Sequence, residues 1–261
     1  MSDQVVLITG GTKGIGLASA LNFGKASART YLTYKWGADD DFKSLYEAFD
    51  KLQAPRPQLI QADASVTEDT KALLNSIKEK ESKIDIFVSN VAFAQSPKNL
   101  QDYKKQSFYK TLDYSTWPMV EYTQLIKSFF GKYPGKVLGI SSDGPDHFYQ
   151  GYDFVAASKA LLEFFGRYMA VHLQQEGSTV NVVRFGPVNT ESFQLIFGQG
   201  FIDFLKENGL PEETILKPEE CGDAVFALCS GLLNAMNGQV ITIDRGMPFR
   251  DNSLLRYMKE K

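Results

Sequence analysis

Seven short apolar runs, each set off from the next by a longer stretch, leave this chain few folds. The runs are QVVLIT, RTYLTY, PQLIQA, IDIFVSN, KVLGISS, STVNVVRF and GQVITI; amphipathic helical patterns cover roughly residues 15–27, 40–53, 67–80, 112–131, 152–176 and 218–232. Strand-then-helix alternation predicts right-handed crossovers and an α/β fold, a doubly wound parallel sheet with helices on both faces. The runs are continuously apolar, as burial on both sides of a sheet requires. No linker, low-complexity tract or internal repeat divides the 261 residues, so a single domain is expected over 1–249. Two long connections, 93–111 and 191–211, follow strands and are expected to be lids, because ligands in such sheets sit outside the carboxyl ends of the strands. The tail, RDNSLLRYMKEK at 250–261, is expected to fray or to cross a subunit boundary.

Charge and composition remove several function classes. A net charge of −3 gives no electrostatic footprint for nucleic acid or an anionic membrane. No apolar run nears the roughly 18 residues of a membrane span, and the first residues carry no charged-then-apolar leader, so a cytoplasmic protein is expected. Cys221 and Cys229 fall in one predicted helix and read as reduced core thiols. With His147 and His172 as the only histidines and no His/Cys cluster, no metal site is expected.

The segment LITGGTKGIGLASALNF places Gly10, Gly14 and Gly16 between the first strand and the first helix. Glycine lets the backbone turn tightly and approach a pyrophosphate, while the helix N-terminus offers unpaired amides and partial positive charge. The Thr-Gly-x-x-x-Gly-x-Gly spacing resembles the short-chain dehydrogenase/reductase family, a Rossmann-type group, and the resemblance spans nearly the whole chain. The second strand ends LTYKWG, with Lys35 and no acid before Asp39; an acid there would bind the ribose 2′-hydroxyl of NAD. Lys13 adds a second cation inside the glycine loop. Together they point to NADPH over NADH, unless both lysines are merely solvated.

The stretch GYDFVAASKALLEFFGRYMAVHL holds the catalytic expectation. Tyr152 and Lys159 are seven residues apart, about 700° around a helix, so their side chains share a face. In most of the family that tyrosine stands four before the lysine, a position filled here by Val155, which has no proton to give. Tyr152 would sit about 4.5 Å further along the axis. Carbonyl reduction needs its acid beside the hydride path. Reduction of an α,β-unsaturated thioester delivers hydride to C3 while charge develops on the more distant thioester oxygen, and a displaced tyrosine suits that geometry.

The Tyr-x6-Lys spacing resembles the enoyl-acyl-carrier-protein reductases, the divergent branch of the family. SNVAFA at 89–94, LDYSTWPM at 112–119, RYMAVHL at 167–173 and FGPVNT at 185–190 are similar to segments of that branch. The glycine loop and GISSDG follow the ordinary family, a combination that resembles enoyl-acyl-carrier-protein reductase III. The resemblance implies reduction of the C2=C3 bond of trans-2-enoyl thioesters on acyl carrier protein or CoA, in fatty-acid or polyketide synthesis, by a homotetramer. It implies that Tyr152 stabilises the enolate, that Lys159 holds the nicotinamide ribose, and that Ser142 either assists or only caps its strand. It places cofactor against Gly10, Thr12, Lys13, Gly14, Ile15 and Gly16, against Lys35, Asp63 and Ala64, against Asn90 and Ala92, and against Gly186, Val188 and Thr190. Two other readings stay open at this stage: a 3-oxoacyl or other carbonyl reductase, and a non-catalytic NADPH-binding sensor on a borrowed fold.

Overall fold

A computed structural model gives the fold over residues 1–37, 42–198, 200–207 and 214–250. Its seven strands are β1 (Val5–Ile8), β2 (Arg29–Tyr34), β3 (Gln58–Gln61), β4 (Ile86–Ser89), β5 (Lys136–Ser142), β6 (Thr179–Phe185) and β7 (Val240–Ile243). They form one sheet in the order β3-β2-β1-β4-β5-β6-β7. Every pairing is parallel; Val6 faces Thr30 on one side and Ile86 on the other. The expected doubly wound sheet is therefore the observed one, and each expected strand lies within its apolar run.

Side-chain alternation along β1 divides the core in two. Val6 and Ile8 pack with Phe23, Leu32, Phe49 and Val225 under α1 (Gly14–Lys25), α2 (Lys43–Lys51) and α9 (Pro218–Cys229). Val5 and Leu7 face the other way, toward Leu73, Phe87, Tyr122 and Leu162 under α3 (Thr67–Lys78), α5 (Trp117–Phe130) and α6 (Asp153–Gln174). A strand buried on both faces has no polar side to show, which explains the apolar runs. Cys221 and Cys229 are free and buried on α9, as expected. Among the described residues no helix is long and apolar enough to cross a membrane.

One expectation needs correction. The helical pattern at 112–131 is two helices, α4 (Lys105–Ser115) and α5, broken at Thr116. Pro118 has no N–H to donate and crowds the carbonyl four residues back, so the ladder cannot run through. Thr116 turns inward at the break and donates to the carbonyl of Ser158 at 2.7 Å. The connection 93–111 is consequently not all loop, since α4 begins at Lys105 and lays Phe108 against Phe154 of α6 at 5.7 Å between ring centroids. The second long connection, 191–211, holds α7 (Glu191–Phe197) and α8 (Gly200–Glu207); its residues 199 and 208–211 lie outside the described residues. So do Asp39 and the tail beyond α10 (Met247–Arg250).

Strand order reverses at β1, whose neighbours β2 and β4 lead away to opposite sides of the sheet. That reversal opens a crevice at the carboxyl ends of β1 and β4, where the next chain segments diverge.

Candidate active site

Gly10 and Gly14 line the crevice with φ of 62° and 56°, a region other residues enter at a cost. Gly16 is required for a different reason: a Cβ there would lie 2.4 Å from the carbonyl oxygen of Gly10. The loop is braced from both sides. Gly10 donates to the Thr33 hydroxyl at 3.0 Å, and the Asn90 amide donates to the carbonyls of Thr9 and Gly10, both at 3.0 Å. Asn90 thus holds the loop's shape. Thr9 and Thr33, which the sequence reading passed over, share that work.

α1 starts at Gly14 with no side-chain cap from Lys13. A helix start of this kind leaves first-turn amides without partners inside the helix, and the nearest side chain to a Cβ built on Gly14 is Thr190, 3.6 Å away. Thr190 caps α7 by accepting from the amide of Phe193 at 3.2 Å, and its hydroxyl hydrogen stays available to donate. Val188 pairs with Leu216 in an isolated bridge, and Gly186 donates to Ile243 at 3.0 Å, so the segment after β6 is fixed to the sheet. Glycines held open beside an uncapped helix start fit a diphosphate-bearing group. Thr12 on the loop and Ile15 in the first turn of α1 are half-buried, while Ala92 is exposed after β4.

Neither lysine of the expected phosphate pair is without a carboxylate. Lys13 meets Glu191 at 3.0 Å, with both side chains largely in water. Lys35 meets Asp63 at 2.6 Å and also donates to the hydroxyl of Tyr114. Asp63 accepts further from Ser65 and from Tyr114, the latter at 2.9 Å. Partial burial works against the charged carboxylate, but Lys35, Ser65 and Tyr114 together hold its pKa down at about 2. Asp63 and Lys35 each gain from the pair, since the Asp63 hydrogen bond raises the lysine's pKa. Ala64 beside them is buried. Tyr114 was not anticipated, and nothing in its spacing announced it.

At the other end of the crevice Tyr152 stands immediately before α6, with its hydroxyl 3.2 Å from Oγ of Ser142 at the end of β5. A Cβ on Gly144 would come within 2.8 Å of the Tyr152 ring, so the backbone at 144 is the wall that ring rests on. Burial raises the phenol's pKa; the Ser142 hydrogen bond opposes this and the charge of Asp143 adds to it. Val155, one turn on, is 3% exposed and belongs to the packed interior.

Lys159 lies two turns along the helix, 4% exposed, with its ammonium donating to the carbonyl of Ile140 at 2.7 Å. Burial lowers its pKa to about 8, and Glu163 one turn further opposes that shift. The structure therefore joins Tyr152 to Ser142 by a hydrogen bond and sets Lys159 beneath them against the β5 backbone. At the start of α6, Tyr103 from the connection 93–111 donates to Asp153 at 2.6 Å and packs edge-on against Phe154.

Known proteins of similar sequence and shape bear on this arrangement. A family model described as enoyl-(acyl carrier protein) reductase matches residues 10–248. The 1-cyclohexenylcarbonyl-CoA reductase of Streptomyces collinus is 27% identical over 251 residues, covering 94% of this chain and 86% of that protein. The NADH-specified enoyl-[acyl-carrier-protein] reductase FabI of Aquifex aeolicus (strain VF5) is 26% identical over 194 residues, 72% of this chain and 71% of its own. Among solved structures, a variant of actinorhodin polyketide ketoreductase with NADPH superimposes with a TM-score of 0.81 at 19% identity, covering 94% of this chain and 97% of that one. ElxO with NADP bound gives 0.81 at 22% identity over 95% and 99% of the two chains. At those identities the structural likeness speaks for the fold alone.

Proposed function

The chain belongs to the enoyl-(acyl carrier protein) reductase family, and we propose that it reduces the C2=C3 double bond of trans-2-enoyl thioesters, with NADPH preferred over NADH. The observation that carries the reading is the hydroxyl pair at the β5–α6 junction, Tyr152 on Ser142, with Val155 committed to the core. A bound nicotinamide cofactor supplies hydride to C3 of the substrate.

The chain's own groups do the rest. Gly10, Gly14 and Gly16 with the first turn of α1 would hold the diphosphate, helped by the Thr190 hydroxyl. Val188 would meet the nicotinamide carboxamide, and Asn90 keeps the glycine loop in shape for both. Lys35 would take the 2′-phosphate, with Asp63 holding its ammonium at that end of the crevice. Tyr152 donates a hydrogen bond to the thioester oxygen as negative charge grows there, a preorganised donor in a partly dry site; the enolate then takes a proton at C2 from water, which completes the two-electron reduction. Ser142 orients the phenol. Lys159 supports it with positive charge from below and, when cofactor binds, would reach the ribose hydroxyls. The substrate is an acyl thioester carried by acyl carrier protein or CoA, the apolar lids covering its chain, and the working assembly is a homotetramer.

The Ser142–Tyr152 contact also suits polarising a ketone, so 3-oxoacyl reduction is the second reading. Purified protein with NADPH separates the two when offered crotonyl and acetoacetyl thioesters in turn, with NADPH absorbance followed. Oxidation with crotonyl thioester alone supports the enoyl reading. Turnover of acetoacetyl thioester alone overturns it in favour of the ketone, and tight NADPH binding without turnover of either favours a sensor.

A further inference from the structure

Arg184 is a β6 residue that neither the glycine loop nor the hydroxyl pair uses, and its side chain is only 13% exposed. Its guanidinium is engaged on two sides. Toward the interior, Nε donates to Glu163 Oε1 at 3.0 Å and a terminal nitrogen donates to Oε2 at 2.6 Å, a two-pronged grip on a 6%-exposed carboxylate of α6. Toward solvent, the remaining terminal nitrogen reaches Asp146, in the loop that joins Ser142 to Tyr152. Glu163 has a third partner: Ser141, the residue before Ser142, donates to Oε1 at 2.6 Å.

Both reacting hydroxyls are thereby indexed to one buried carboxylate. Ser142 is tied to it through Ser141. Tyr152 is tied to it through the loop, because the backbone at Gly144 supports its ring and Asp146, two residues on, is clasped by Arg184. The same loop is anchored at its start, where Asp143 donates its amide to the Phe185 carbonyl at 3.1 Å and accepts from Tyr149 at 2.7 Å, and the Asp146 contact ties its middle to Arg184 of β6. A planar guanidinium offers donors in fixed directions, so it can serve two carboxylates on opposite sides where an ammonium on a flexible stem defines neither direction.

We propose that Arg184 and Asp146 are positioning residues that set the Ser142–Tyr152 separation by clasping the β5–α6 loop to Glu163. The consequence for turnover rests on the enoyl-reductase reading; the positioning itself does not. Small displacements of a donor are costly in rate, on the order of a hundredfold for about 1 Å.

The test uses Asp146→Ala, which removes only the 60%-exposed arm and leaves the buried pair intact. In full-length protein carrying 13C-labelled tyrosine, the Tyr152 resonance is assigned by its loss in Tyr152→Phe. That resonance is expected to shift in Asp146→Ala and to return in Asp146→Glu, with the thermal midpoint unchanged. With crotonyl thioester, kcat is expected to fall about tenfold while both KM values hold, and the same change in a Tyr152→Phe background is expected to cost nothing more. An unmoved Tyr152 resonance overturns the proposal, as does an equal loss of rate in both backgrounds. Should the wild type reduce no enoyl thioester, the reading of the reaction fails while the resonance still decides the clasp.

Discussion

Tyr152 and Ser142 are ten residues apart in sequence and 3.2 Å apart at their hydroxyl oxygens. The loop between them closes on itself, so that the start of α6 is folded back over the end of β5. This puts a phenol donor at the carboxyl edge of the sheet although the position one turn into the helix is Val155 in the core. Tyr152 stands at the very start of the helix, and its hydroxyl faces Ser142.

The buried ammonium of Lys159 makes stability depend on pH in a fixed direction. Its pKa in the folded chain is about 8, below the ordinary lysine range, so the folded state resists protonation more than the unfolded one. The cost of burying the cation is complete below pH 8 and is relieved as pH rises from 8 toward the unfolded value; linkage puts it at about 3 kcal/mol. Lys159→Met is therefore expected to be more stable than wild type near pH 7, with the gap shrinking above pH 8. Urea unfolding at a series of pH values measures it; a gap that widens with pH would contradict the assignment.

Lys35 is expected to set cofactor preference despite its ion pair. A 2′-phosphate brings more charge to the ammonium than Asp63 alone provides, and a hydrogen bond between charged partners is worth about 1.5–3 kcal/mol. Lys35→Ala should reduce the ratio of kcat/KM for NADPH over NADH by about ten- to a hundredfold, mostly by weakening NADPH. Steady-state rates with each cofactor measure this. An unchanged ratio would take Lys35 out of phosphate recognition.

Gly16→Ala tests the cradle. The added methyl would meet the Gly10 carbonyl at 2.4 Å and the Asn90 amide at 2.8 Å, and the first of these is backbone that cannot swing aside. Overpacking of this kind costs about 1–3 kcal/mol. A lower thermal midpoint is expected, together with weaker NADPH binding by fluorescence titration, because the brace between Asn90 and the loop must open. Normal binding in the variant would mean that the loop does not contact the cofactor.

Local rules made the sheet legible. RTYLTY and KVLGISS became strands over their full length, their central residues buried on both faces and only their ends reaching partly into solvent. The break at Thr116 was signalled by Pro118, but the apolar pattern continues across it and masked the stop. At the site, spacing put Gly10, Gly14 and Gly16 at a strand–helix junction and Tyr152 on the face of Lys159, whereas Ser142 was singled out only by the family resemblance. What spacing could not give is side-chain pairing across the fold. Lys35 finding Asp63 and Tyr114, or Arg184 joining Glu163 to Asp146, depends on which strands and helices become neighbours. Glu163 alone left a trace, four residues after Lys159 on the same helical face.

Whether the Tyr152 hydroxyl stabilises charge on an enoyl thioester during reduction is read from kcat of Tyr152→Phe with NADPH and crotonyl thioester. Removing a positioned donor or acid is expected to lower kcat by at least about a hundredfold, while NADPH binds as tightly as to the wild type. A phenylalanine variant that turns over at the wild-type rate would contradict the account.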